Sequence, residues 1–333
     1  MKFIKGLLKT ILAGIVAIAI LCVIFAPYVF TPVHKSNPNG NTDYIWPGGA
    51  VWHKMTEGIS SGRFDENGYN NISVVENPDI LILGSSHMEA VDVLQTENTA
   101  YLLDQLLPDD SVYNLGISGN NFLRVCKYLS TSIALYPEDP EFIIIETDDI
   151  HFPAADIVNL LEDNINYTPS YDTGLIASLQ RLPFLRLMYL QGTDLLDTLL
   201  PKAETAPEPE TPITDDAYRA LFSYISSATA NCSSKIIIVY HSSAQLQADG
   251  SVSFESHEDS KALFAKHCEA RGIYFVDMAD AFTQLYNEEN KLPHGFVTGQ
   301  IGWGHLNPDG HRIMAETLAK TIESIRQEEA LCK

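Results

Sequence analysis

Basic residues are scarce in this chain. Lys and Arg number 21 against 43 Asp and Glu, a formal net charge of −22. Phosphate backbones are bound by basic surfaces, so nucleic acid is excluded as a partner. Anionic lipid headgroups are disfavoured beyond the extreme N-terminus for the same reason. Neutral or cationic substrates fit better, although acidic charge also serves plain solubility. Cysteine is sparse too. Cys22, Cys126, Cys232, Cys268 and Cys332 form no CxxC and no Cys/His cluster of zinc-site spacing, so no metal is expected. An exported location permits disulfides, and Cys232 with Cys268 is a conceivable pair that spacing alone cannot establish. No internal repeat is present and no cofactor is implied.

Charge is missing altogether from Ile11 to Phe30, a run of 20 residues. At 1.5 Å per residue such a helix spans roughly the 30 Å hydrocarbon core of a bilayer. Lys2, Lys5 and Lys9 precede it, and acidic residues dominate the chain beyond it. The positive-inside rule then puts the N-terminus in the cytoplasm and the rest outside, as a single-pass membrane protein. A cleaved signal peptide is the competing reading, but its apolar stretch is normally shorter, and Phe25-Ala26-Pro27-Tyr28 is a poor cleavage site.

What is plentiful is apolar material, 45% of the residues, enough for one sizeable core or at most two. Residues 1–31 read as a cytoplasmic stub and transmembrane anchor. Residues 32–78, rich in Gly, Asn and Pro around Trp46 and Trp52, read as an extracytoplasmic lead-in that packs on the domain. From Asp79 to about residue 330 the pattern is regular. Short apolar runs at 79–84, 111–115, 141–146, 235–240 and 273–277 have the length of buried strands. Helical periodicity fills 88–106, 120–136, 215–231, 258–271 and 308–327. Strands alternating with helices predict one α/β domain with a five-stranded parallel sheet covered on both faces. An insertion at about 150–214 interrupts it. Residues 155–200 are apolar enough for a cap or for flanking helices, and the Pro/Glu/Thr-rich stretch 201–214 predicts a mobile loop.

In such a sheet, ligands bind beyond the carboxyl ends of the strands. Three segments stand there. Gly84-Ser85-Ser86-His87 follows the first strand; a serine at this turn presents a hydroxyl beside free backbone N–H groups, or simply caps the helix. Asn114-Leu115-Gly116-Ile117-Ser118-Gly119-Asn120-Asn121 follows the second strand, where glycine permits close backbone approach to a developing oxyanion or merely a tight turn. Gly304-His305-Leu306-Asn307-Pro308-Asp309-Gly310-His311 precedes the last helix and offers His305 as a general base. Each has a structural reading alone; the combination carries the chemistry.

The Gly-x-Ser turn, the NxGxxG turn and the HxNxxGH segment, in this order, resemble the SGNH/GDSL hydrolase superfamily over residues 79–328. The resemblance implies a flavodoxin-like three-layer fold, with Ser86 as nucleophile and His305 as base. It also implies an oxyanion hole from the Ser86 and Gly119 N–H groups. Two positions depart from the family's pattern. The Asp expected three residues before His305 is Gly302, which leaves a backbone carbonyl or an acid from elsewhere, Asp148 or Asp149, to orient the imidazole. The family's third-block Asn is replaced within Glu146-Thr147-Asp148-Asp149, where the Thr147 hydroxyl stands in as donor. His87, Asn120, His241 and His294 are expected to line the site, although a lone histidine is more often structural.

KIIIVYHSS at 235–243, ADG at 248–250, GIYFVDMADAF at 272–282 and LPHGF at 292–296 narrow the resemblance. They are similar to bacterial membrane-anchored SGNH-like proteins that handle acetylation or alanylation of surface polymers beside a multi-spanning acyltransferase. That implies a serine esterase or O-acyltransferase acting on an acylated cell-envelope polysaccharide. The alternatives are a catalytically degenerate scaffold that binds glycan for a membrane acyltransferase, and a lipid-active esterase with an apolar cap.

Overall fold

A computed structural model of the chain describes residues 2–26, 29, 35–55, 57–165, 179, 181–199, 214–247, 251–254 and 258–332. Helix α1 (Lys2–Phe25) is apolar, its side chains opening outward. Of it, Phe3–Phe25 is long and apolar enough to cross a membrane. The lead-in folds as two small antiparallel pairs, β1 (Lys35–Ser36) with β2 (Tyr44–Ile45), and β3 (Val51–Lys54) with β4 (Ser60–Arg63). It packs on the domain through its own apolar cluster. Trp46 stacks on Phe64 with ring centroids 5.4 Å apart, and Trp52 and Val91 complete the group.

The main sheet takes β5 (Ile80–Leu83), β6 (Val112–Asn114), β7 (Phe142–Thr147), β8 (Lys235–Tyr240) and β11 (Tyr274–Asp277), all parallel. Two short strands, β9 (Gln245–Leu246) and β10 (Val252–Ser253), pair beside it. The spatial order is β11-β8-β7-β5-β6. Counting only these five, that is the 2-1-3-4-5 order of a flavodoxin-like sheet, whose switch point lies between β5 and β7. Alternating side chains feed the two faces. Leu81, Leu83, Ile143, Ile145, Ile236 and Ile238 join one buried cluster, while Ile80, Ile82, Ile144, Ile237 and Val239 join the other. Strands buried on both faces read as unbroken apolar runs, which is why all five were legible.

The first helical stretch departs from expectation. Instead of one helix over 88–106, the chain makes α2 (Ser86–Glu89), a 3₁₀ turn at Gln95–Glu97 and α3 (Thr99–Leu106). Ala90 ends α2 in the left-handed region with φ +53°. The Asn70 amide from the lead-in donates to the Glu89 carbonyl there at 2.7 Å. Local periodicity yields here to a tertiary contact. After β6 come α4 (Phe122–Ile133), then β7, α5 (Ala154–Leu161) and α6 (Pro183–Leu199) of the insertion, and α7 (Asp215–Ala228). The domain closes with α8 (Glu258–Glu269), α9 (Ala279–Glu289), the bulged hairpin β12 (His294–Gly295) with β13 (Ile301–Leu306), and α10 (Pro308–Cys332).

Helix α6 meets the end of α1, with the rings of Phe184 and Phe25 5.8 Å apart. No described residue of 155–200 lines the cleft next to His87. The expected mobile loop lies outside the described residues up to residue 213; Thr214 caps α7. All five cysteines are free thiols. Cys268 is buried, and Cys232 donates to the Ser234 hydroxyl at 2.8 Å instead of pairing with Cys268.

Candidate active site

The turn after β5 is built around a buried carboxylate. Glu146, near the end of β7, lies under Gly84; a Cβ on that glycine would sit 2.5 Å from Glu146 Oε2, so only glycine fits. Ser85 donates to the same oxygen from its backbone N–H at 2.8 Å and its hydroxyl at 3.0 Å, and caps α2 by accepting from the His87 N–H at 3.2 Å. The capping role therefore belongs to Ser85. Ser86 opens the helix with its hydroxyl directed elsewhere, and its Oγ lies 2.8 Å from His305 Nε2.

His305 comes from β13. Its Nδ1 hydrogen-bonds to Glu57, from the turn between β3 and β4, and Asp92 Oδ2 lies 3.5 Å away. Both imidazole nitrogens are thus engaged by groups other than Asp148 or Asp149, which corrects that expectation. Neither Glu57 nor Asp92 was singled out from the sequence. Glu57 lies 248 positions from its partner, and the one hint was that an acid had to replace Gly302. The turn carrying Glu57 is fastened on three sides. Thr298 donates to the Glu57 carbonyl, Ser60 Oγ donates to the Val91 carbonyl at 2.5 Å, and Lys54 pairs with Asp92.

Burial disfavours a charged imidazole at His305. The Glu57 hydrogen bond and the Asp92 and Glu57 charges outweigh it and raise the pKa above the ordinary 6.5. The hydrogen bond to His305 holds Glu57 below the usual carboxylate value against burial. An acid that favours the imidazolium is what a general base needs as it takes a proton.

Gly302 explains the missing aspartate. Its φ of +81° is strained for any side chain, and an added Cβ would meet Leu292 Cδ1 at 3.1 Å and Ala244 Cβ at 3.6 Å. A carboxylate there would start out packed against apolar side chains. The lead-in supplies the acid instead.

Behind Ser86, three histidines hang on two carboxylates. His241 Nε2 faces Glu146 at 2.9 Å, and its Nδ1 meets His294 Nε2 at 3.1 Å. The rings of His87 and His241 lie edge to face, with centroids 4.6 Å apart, and His87 is 5.2 Å from His305. Nitrogens of His87, His241 and His294 lie within 4.8 Å of one another, close enough to raise the question of a cation. The Leu306 N–H donates to His87 Nδ1 at 3.2 Å, which puts the ring proton on Nε2, toward Asp148 Oδ2 at 3.5 Å. That tautomer leaves His87 no lone pair for a metal. Burial lowers the pKa of both His87 and His294 below the ordinary value, keeping the rings neutral.

The loop after β6 carries Gly119 and Asn120. Asn114 braces it, donating to the Met88 carbonyl at 2.6 Å and accepting from the Gly116 N–H at 2.8 Å. Tyr44 of the lead-in donates to the Ser118 carbonyl. The N–H groups of Ser86 and Gly119 take no acceptor among the described residues. Thr147 is different. Its hydroxyl donates to the Asp149 carbonyl and accepts from the Asp149 N–H at 3.2 Å, so its proton is engaged within its own turn. The expectation of Thr147 as an oxyanion donor is corrected accordingly. His311, the last residue of the HxNxxGH segment, is buried against Thr99, with Nδ1 2.8 Å from its hydroxyl, and so holds α10 to α3. Its role is packing.

A cleft of about 460 Å³ opens beside this constellation, walled by His87, His294, Asp148, Asp149, His151, Ser242, Ser243, Ala244, Gln245 and Trp303. Trp303 is 63% exposed and had not been singled out.

No family model matches the sequence, and no curated protein matches it. Solved structures do align with the chain. A member of the lipolytic G-D-S-L family from Veillonella parvula aligns at 13% identity over 72% of this chain and 96% of its own, with a TM-score of 0.40. An acetylxylan esterase from Geobacillus stearothermophilus, in a catalytic mutant form, aligns at 15% identity over 74% and 94%, again at 0.40. A lipolytic G-D-S-L family protein from Desulfitobacterium hafniense aligns at 8% identity over 72% and 97%, with a TM-score of 0.38. At these TM-scores the site stands on its own geometry.

Proposed function

We propose that the chain is a serine esterase or O-acyltransferase working through Ser86 and His305 on an acylated cell-envelope glycan. It is held by α1 as a single-pass anchor with the α/β domain outside. The contact that carries this reading is the 2.8 Å approach of Ser86 Oγ to His305 Nε2, with Glu57 on the other ring nitrogen. A neutral serine is a weak nucleophile and needs its proton removed as it attacks. His305 takes that proton, and Glu57 stabilises the imidazolium. Oγ bonds to the acyl carbon, and His305 returns the proton to the leaving alcohol. The Ser86 and Gly119 N–H groups hold the tetrahedral oxyanion, a contribution of about 3–4 kcal/mol per donor in a comparable enzyme. Attack by water then completes hydrolysis, and attack by a sugar hydroxyl completes transfer. The substrate and any multi-spanning membrane partner come from the sequence resemblance. The scaffold alternative drew its support from a lost orienting acid, and Glu57 supplies one.

The test uses the full chain in detergent and its Ser86→Ala and His305→Ala variants. Wild type should release 4-nitrophenol from 4-nitrophenyl acetate and react with a fluorophosphonate probe. Both activities should vanish in Ser86→Ala, and turnover should fall by at least about 10³-fold in His305→Ala. A folded wild type that neither turns over nor labels would refute the reading in favour of a scaffold.

A further inference from the structure

We propose that the cleft beside Ser86 is a subsite for one uncharged pyranose ring, stacked on Trp303 and hydrogen-bonded by Asp148. The proposal rests on the reading of Ser86 as the nucleophile for a glycan ester, and names the part of the glycan that is recognised.

Trp303 stands two residues before the base. Two of the three tryptophans are used by the fold, with Trp46 6% and Trp52 0% exposed, whereas Trp303 is 63% exposed. Its neighbours Gly302 and Gly304 both take left-handed backbone, φ +81° and +96°, so the short segment that presents the indole is one other residues resist. An indole left in solvent at the wall of a cleft that adjoins the reacting residues through His87 offers a flat apolar face with a polar edge. The remaining walls decide what lies on it. Asp148, Asp149, Ser242, Ser243 and Gln245 bring carboxylates, hydroxyls and an amide. A fatty acyl chain is matched by walls that are predominantly apolar. A pyranose has one face of C–H groups for the indole and a rim of hydroxyls for the acceptors.

Charge narrows the class further. No Lys or Arg lines the cleft among the described residues, while two Asp do. A uronate or phosphodiester would bring a third anion into a confined space, where like charges repel more strongly than in bulk water. Asp148 Oδ2 lies 3.5 Å from His87 Nε2, and its side chain is half-exposed. Its oxygens therefore have room to accept from sugar hydroxyls. The polymer unit selected is a neutral hexose or N-acylated amino sugar, as opposed to an acidic one.

The experiment compares three esters with the full chain in detergent: 4-nitrophenyl acetate, O-acetylated methyl glucoside and O-acetylated methyl glucuronide. Wild type should prefer the glucoside over the glucuronide by at least about tenfold in kcat/KM. Trp303→Ala should raise KM on the glucoside and lower the ratio of kcat/KM, glucoside over 4-nitrophenyl acetate, by about tenfold, with Trp303→Phe recovering part of it. Asp148→Asn should shrink the glucoside–glucuronide preference. Equal losses on both neutral esters in Trp303→Ala, or equal use of glucoside and glucuronide by wild type, would overturn the proposal. Tryptophan fluorescence reads the subsite without catalysis, because Trp303 is the exposed indole. A response to methyl glucoside that is absent from Trp303→Phe supports the subsite even in a chain inert to 4-nitrophenyl acetate, which would refute the catalytic reading alone. A response to phosphatidylcholine vesicles and none to the sugar would overturn it, assigning the indole to a membrane surface together with exposed Val297 and Ile301.

Discussion

An imidazole that must act as a base at neutral pH is set by the carboxylates beside it, and here there are two. Glu57 accepts the Nδ1 hydrogen bond directly, and Asp92 lies 3.5 Å off and is shared with Lys54. Removing the orienting acid of a well-studied triad costs about 10⁴-fold, but Asp92 remains near Nδ1, so Glu57→Gln should lower kcat by only about 10²-fold and Glu57→Gln with Asp92→Asn by about 10⁴-fold. The pH profile separates positioning from mere folding. His305 is active when neutral, so kcat/KM rises as pH climbs through its pKa, and the acidic limb should lie above pH 6.5 because that pKa is raised. Glu57→Gln removes the charge, leaves at most a neutral acceptor for Nδ1, and keeps the burial that lowers the pKa. The limb should move down. A limb that stayed in place would show that Glu57 does not act through His305.

Elements account for what the sequence made legible and what it hid. The five strands were legible because residues such as Ile143, Ile144 and Ile145 are buried on both faces and leave an apolar run. Ser86 and His305 were legible because each lies in a motif, Ser86 at the turn after β5 and His305 near the end of β13 just before the last helix. Glu57 was not, because it sits on a lead-in hairpin whose place is fixed by Trp46, Trp52, Phe64 and Val91, a packing with no sequence period. The break at Ala90 was hidden for a similar reason, being set by Asn70. That break places Asp92 beside the base. Gly302 turns this lesson into a test. Restoring the family's aspartate as Gly302→Asp should destabilise the chain by about 1–3 kcal/mol, since the left-handed backbone strains any side chain. It should also fail to rescue Glu57→Gln, because the new carboxylate starts beside Leu292 and Ala244. Recovery of turnover in the double variant, with urea midpoints unchanged, would show that β13 adapts and that the acid's origin in the lead-in is incidental.

At the scale of the whole molecule, the interior of this acidic protein is guarded by neutral histidines. Burial pushes His311 down to about 3, and lowers His87 and His294 as well. Each folded value lies below the unfolded 6.5, so the unfolded chain takes up the proton first. The stability these rings permit is complete above pH 6.5 and is lost as pH falls toward the folded values, at up to about 1.4 kcal/mol per pH unit for each ring. The His305–Glu57 pair runs the other way on its histidine side. With a raised pKa on His305, its contribution is full below 6.5 and lost as pH rises through the folded value, while the lowered pKa of Glu57 protects the pair down to about pH 4.5. Between pH 6.5 and 4.5 most carboxylates keep their charge, so the acidic surface gains little relief and the buried imidazoles dominate. Urea midpoints of the full chain in detergent should therefore fall steadily from pH 6.5 to 4.5. His311→Gln, which cannot titrate, should remove about one proton's share of that slope while lowering stability at pH 7 through loss of its bond to Thr99. A wild-type midpoint that stayed level across this window would mean that the three rings titrate alike folded and unfolded, and that the cluster behind Ser86 is open to water.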